Sequence, residues 1–190
     1  ETTVLVNGKP LGIHRGGYDG FSFDITDAIS PGGPQELLVS VWDPTEGGQP
    51  HGKQARKPEG IFYTPTTGIW QTVWLEPLPS QAITRLKLTP DADAGTLTIG
   101  TQLQSAPDGF VVRATALAAG KTVASAEGPA AAPLRLTIPK PRLWSPGDPF
   151  LYDLQISLLR GGKTIDAVSS YAGLRKISLG HGTDGAARLL

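Results

Sequence analysis

From Ile83 to Tyr171 the sequence repeats one pattern: a short apolar or alternating run, then a cluster of turn-forming residues. The runs are Ile83 to Thr89, Thr96 to Gln104, Phe110 to Leu117, Thr122 to Glu127, Leu134 to Ile138, Leu151 to Leu159 and Thr164 to Tyr171. Between them lie PDADAG, SAPDG, AAGK, GPAAAP and RGGK, rich in the residues that set turn dihedrals. Short strands at this spacing bury their apolar faces by closing as two packed sheets. The fold class is therefore all-β, and Gln81 to Leu179 reads as an immunoglobulin-like sandwich. It has no inter-sheet disulfide, because the 190 residues include no cysteine.

The chain before Pro77 is less regular. Thr2 to Val6 and Lys9 to His14 flank Asn7-Gly8, the dipeptide best suited to a type I′ hairpin turn. Arg15 to Gly20 (RGGYDG) is a glycine-rich loop, after which Phe21, Phe23 and Ile25 alternate with polar residues as in a half-buried strand. Thr26 or Asp27 is placed to cap a brief helical turn ended by Pro31-Gly32-Gly33-Pro34. Glu36 to Trp42 predicts another strand. Pro44 to Pro58 has no periodicity and reads as a long exposed loop, a kind often functional.

The stretch Gly60 to Pro77, GIFYTPTTGIWQTVWLEP, holds two of the four tryptophans. From Ile69 to Glu76 it predicts a strand with Ile69, Val73 and Leu75 on one face and Trp70 and Trp74 on the other. Bulky apolar groups on both faces call for cover on both sides, or for a tryptophan displayed from one of them. Pro77 to Ser80 is then a hinge between a partial sandwich over 1–78 and the sandwich over 81–179, with 180–190 beginning another element.

Formal net charge is zero and basic residues form no run, which argues against nucleic acid or an anionic membrane as partner. No apolar run approaches the ~20 residues that span a bilayer. Methionine is absent and Glu1 opens directly on a strand pattern, so the sequence is expected to be an excised piece of a longer gene product.

Little in the chain points to catalysis or cofactors. His14, His51 and His181 stand far apart with no carboxylate at ligand spacing, so no metal site and no cofactor is expected. RGGYDG is not followed by a helix pattern and is not a phosphate loop. The glutamates are scattered over strand ends and loops, and the aspartates sit mostly in turns such as those of Asp91, Asp93 and Asp108. What remains is aromatic: Tyr18, Tyr63, Trp70 and Trp74 are candidate carbohydrate contacts, since sugar C–H groups pack on flat rings while neighbouring polar groups serve the hydroxyls. The competing reading makes Trp70 and Trp74 core or interface residues.

TTGIWQTVWLEP resembles the strand that closes the N-terminal sugar-binding jelly roll of glycoside hydrolase family 2, the β-galactosidases, β-glucuronidases and β-mannosidases. Similar pieces run through the chain in family order: Val6 to Thr26, Leu143 to Ile156 and Tyr171 to Leu179. The resemblance implies part of the jelly roll followed by the immunoglobulin-like domain of a retaining glycosidase, whose two catalytic glutamates lie in a (β/α)8 barrel. A barrel needs ~250 residues, so this chain is expected to supply scaffold and no catalytic residue, with the parent's barrel and carbohydrate as partners. Some family members place an acid in the loop before the GIW strand, whereas here that loop reads IFYTPTTG. Two other readings stay open: a stand-alone carbohydrate-binding module, and a structural module that forms a homodimer through exposed edge strands.

Overall fold

A computed structural model describes residues 1–105 and 108–189. The middle of the SAPDG turn and the last residue of the segment 180–190 lie outside the described residues. The fold is all-β and divides into two units, Glu1–Leu75 and Glu76–Leu190.

In the first unit β1 (Thr2–Val6), β2 (Lys9–His14) and β3 (Leu37–Val41) form one antiparallel sheet in the order β2-β1-β3. Asn7 and Gly8 have φ of 50° and 75°, the pair of positive values that a type I′ turn requires. Asn7 does more than turn the chain. Its amide donates to the Ala28 carbonyl and its oxygen accepts from the Glu36 N–H, each at 2.9 Å, so the hairpin tip fastens the entry to β3. Buried apolar residues here are confined to Val4, Val6 and Ala28. This unit is a partial sandwich, one sheet with little laid over it.

Two expectations for this unit are corrected. Phe21 to Ile25 is not a strand: the Asp24 carboxylate accepts from both the Thr26 N–H (2.9 Å) and the Thr26 hydroxyl (2.6 Å), turning the chain into a 3-10 turn over Thr26–Ala28. The N-cap of that turn is Ile25, which has no side-chain capping bond, so neither Thr26 nor Asp27 caps it. Ile69 to Glu76 pairs with no strand among the described residues, and Ile69, Trp70, Val73, Trp74 and Leu75 are all exposed. The alternation is present in the sequence, but a strand exists only with a ladder partner, and no other segment of the unit supplies one.

The second unit has the expected strands. They are β4 (Ile83–Asp91), β5 (Thr96–Leu103), β6 (Val111–Ala118), β7 (Lys121–Pro129), β8 (Leu134–Thr137), β9 (Tyr152–Arg160) and β10 (Lys163–Ala172). A three-stranded sheet, β4-β5-β8, packs on a four-stranded one, β10-β9-β6-β7, all neighbours antiparallel. This is the immunoglobulin-like arrangement. Leu97 and Ile99 of β5 and Leu134 and Leu136 of β8 meet Val112 of β6 and Leu154, Ile156 and Leu158 of β9. In β6, Ala114 lies opposite Ile156 and Ala116 opposite Leu154, so small side chains make room for large ones within one layer.

Trp144, in the connection between β8 and β9, is half-buried, its backbone N–H bonded to the Leu174 carbonyl at 2.9 Å and its ring covered by the Arg175 guanidinium at 4.6 Å. After β10 the chain forms a hairpin, β11 (Leu179–His181) with β12 (Ala187–Leu189).

Candidate functional site

Strand β2 ends at His14, and the glycine-rich loop that follows is tied at two points. The Arg15 guanidinium donates to the Glu1 carboxylate at 2.8 Å, and the Trp70 indole N–H donates to the Gly17 carbonyl at 2.8 Å. The second tie brings the GIW segment onto the loop. Tyr18 then meets Trp70 edge to face, with centroids 6.0 Å apart and planes at 74°, the geometry that the ring quadrupoles prefer. Beneath the loop His14 stacks on Phe21 at 4.2 Å, and Phe21 meets the edge of Phe23 at 5.7 Å. Phe23 fits because residue 12 is glycine: a Cβ there would stand 2.7 Å from its ring.

Of the four candidate aromatic residues, the structure brings two together. Tyr18 and Trp70 form a corner, 86% and 66% exposed. Tyr63 and Trp74 are exposed as well, but among the described residues no ring contact joins them to that corner. Tyr63 instead organises the long loop through its backbone, which pairs in parallel with Gln54: its N–H donates to the Lys53 carbonyl, and its carbonyl accepts from the Ala55 N–H. Burial of Trp70 and Trp74 as core residues is not what the structure has.

Each carboxylate with a displaced pKa is held below its ordinary value. Glu1 is lowered by the hydrogen bond from Arg15, Asp24 by the bonds from Thr26, and Asp148 by the bond from Arg142. A general acid at neutral pH needs the opposite shift. Among the described residues no group of three His, Cys, Asp or Glu side chains is placed to hold a metal.

Sequence reasoning missed two arrangements. One is the aromatic stack His14, Phe21 and Phe23, for which the i, i+2 spacing of the phenylalanines was the available signal. The other lies in RLWSPGDPFLY, where Arg142 bonds Asp148 (Nε to Oδ2, 2.8 Å), lies 4.4 Å over the Phe150 ring, and gives its backbone N–H to the Tyr152 hydroxyl at 2.7 Å. A shallow groove of about 460 Å³ beside the β4–β5 turn is lined by Asp91, Asp93, Arg135, Arg175 and Lys176, and Lys176 is paired with Asp93.

The fold defines the class: an all-β chain with a partial sandwich followed by an immunoglobulin-like sandwich. An FMN-binding β-glucuronidase from Facaelibacterium prausnitzii L2-6 aligns with a TM-score of 0.69 over 99% of this chain and 30% of its own, at 24% identity, a likeness of fold. The family model for glycosyl hydrolases family 2 matches residues 77–175, more than half of the chain, and the chain belongs to that family. A protein of Formosa agariphila is 32% identical over 185 residues, covering 92% of this chain and 22% of its own length. A β-glucuronidase of Bacteroides fragilis is 30% identical over 203 residues, covering 90% and 27%. The chain thus spans about a quarter of the curated relatives it matches.

Proposed function

We propose that this chain is a non-catalytic portion of a retaining glycoside hydrolase that cleaves O-glycosidic bonds of β-linked sugars, glucuronides among them. One observation carries the reading: the likeness to a β-glucuronidase runs through 90% of this chain while covering 27% of that enzyme. In such an enzyme a nucleophilic carboxylate and an acid/base carboxylate stand about 5 Å apart across the scissile bond. The sandwiches here supply scaffold, and the carboxylate pair belongs to a part of the parent beyond these two units.

The test is an assay of the purified chain on aryl β-glucuronides and β-galactosides, beside the intact mass of the native gene product. No turnover by the 19.9 kDa chain is expected, together with a native product heavier by at least a barrel, ~27 kDa for ~250 residues. Hydrolysis that purifies with the chain overturns the reading, as does a native product near 20 kDa.

A further inference from the structure

We infer that Asn7 is a modification site gated by the fold: when the β1–β2 tip opens, the side-chain amide is lost in a reaction with Gly8, and the product cannot refasten the tip. Asn7 is the single asparagine of the chain, and glycine follows it. That order suits the chemistry, because the attacking group is the peptide nitrogen of the next residue and glycine leaves it unshielded. A Cβ built at Gly8 would meet nothing within 4 Å. The Gly8 N–H gives its proton to hydroxide, the nitrogen bonds to Asn7 Cγ, and the Cγ–Nδ2 bond breaks with release of ammonia. Water then opens the cyclic imide, at Cγ to leave aspartate or at the main-chain carbonyl carbon to leave isoaspartate.

The closed tip holds the reacting carbon away from this path. The half-buried Asn7 amide donates to the Ala28 carbonyl at 2.9 Å and to Gln35 Oε1 at 2.7 Å, while its oxygen accepts from the Glu36 N–H at 2.9 Å. The main chain is tied to the same place, since the Asn7 N–H donates to the Glu36 carbonyl at 2.9 Å. Cγ swings onto the Gly8 nitrogen only when the side-chain bonds are broken together. Opening and closing are fast beside a slow covalent step, so the rate follows the open population. That population is set by the first unit, whose buried apolar residues are Val4, Val6 and Ala28, and not by the core of the second.

The reaction changes what the tip can hold. An aspartate at this position still accepts from the Glu36 N–H but has no donor for the Ala28 carbonyl or Gln35 Oε1, and its carboxylate faces two acceptors. Isoaspartate also inserts a methylene into the main chain, which breaks the dihedral pair of the type I′ turn. Either product loosens the entry to β3, and neither reverts to asparagine.

The test follows the chain at mildly alkaline pH by tryptic mapping. In the fragment Glu1 to Arg15, Asn7 is the one side-chain amide, so a mass gain there reads this site alone. Asp19-Gly20, Asp108-Gly109 and Asp184-Gly185 close the same ring by losing water and regain it, with no mass change. Conversion is expected at least about tenfold faster in guanidinium than in the folded chain. Gln35→Ala removes the 2.7 Å partner and is expected to speed conversion of the folded chain about two- to tenfold while leaving the rate in guanidinium unchanged. A second arm does not depend on that variant: Asn7→Asp, which has the side chain of one product, is expected to quicken amide exchange in β3 about tenfold and leave β9 as it was. Equal conversion rates in the folded and unfolded chains, an unchanged folded rate in Gln35→Ala, or β3 exchange in Asn7→Asp equal to that of the parent would overturn the inference.

Discussion

Asp166 and Ile83 join the two sheets of the second unit: the Ile83 N–H, at the first residue of β4, donates at 2.8 Å to the Asp166 carboxylate on β10. Asp166 is free to do this because the β9–β10 register shifts between Thr164 and Asp166, a bulge that re-aims the side chain. Ile83 is buried, so its N–H has no easy alternative in water. Asp166→Ala is therefore expected to destabilise the unit by about 1–3 kcal/mol, the cost of a buried unpaired donor. Asp166→Asn keeps a carbonyl acceptor and should recover most of the loss. Urea denaturation reads both, and equal midpoints for Asp166→Ala and the parent chain would refute the role.

The sandwich was legible in the sequence because each β4–β10 run carries its own period and its own turn residues, so local pattern and final ladder agree. The run Ile69 to Glu76 has an equally clear period and forms no strand. Periodicity reports which faces are apolar, whereas pairing depends on a partner that a local window does not contain. Phe21 to Ile25 failed for another reason, since one carboxylate at Asp24 offered the backbone a local turn that competes with a ladder. At the site, residue type nominated Tyr18, Tyr63, Trp70 and Trp74 alike. Only the bond from Trp70 to Gly17, between residues far apart in sequence, separates a ring pair from two isolated rings.

The two units should differ sharply in local stability. The second has a contiguous core over β5, β6, β8 and β9, while buried apolar residues in the first are Val4, Val6 and Ala28. Amide exchange is expected to be slowest in β5, β6 and β9 and faster by orders of magnitude in β1 to β3. A peptide of residues 76–190 should unfold cooperatively by itself, and one of residues 1–75 should not. Equal protection in β1 and β9 would contradict this.

The Arg142–Asp148 pair has a defined pH signature. The bond from Arg142 holds the Asp148 pKa below its unfolded value, so any stabilisation is present above the ordinary aspartate pKa of about 4 and is lost as pH falls through the folded value. Both groups are exposed, and the effect is small. The thermal midpoint of Asp148→Asn should thus lie below that of the parent chain at about pH 7 and converge with it at about pH 2. A gap that widens in acid would show that the carboxylate is not the group responsible.

Trp70→Phe tests the tie between the GIW segment and the glycine-rich loop while keeping an aromatic ring in place. The substitution removes the donor to the Gly17 carbonyl and nothing else that the loop bonds to. A hydrogen bond of this kind contributes about 0.5–1.5 kcal/mol, so the open form of the loop should become roughly two- to tenfold more populated. Arg15 lies two residues before Gly17, which makes limited trypsin digestion a direct reporter where opening is fast relative to cleavage. Cleavage after Arg15 should accelerate by that factor, with cleavage after Arg160, the last residue of β9, as the internal reference. If the ratio of the two rates does not change, the bond does not restrain the loop.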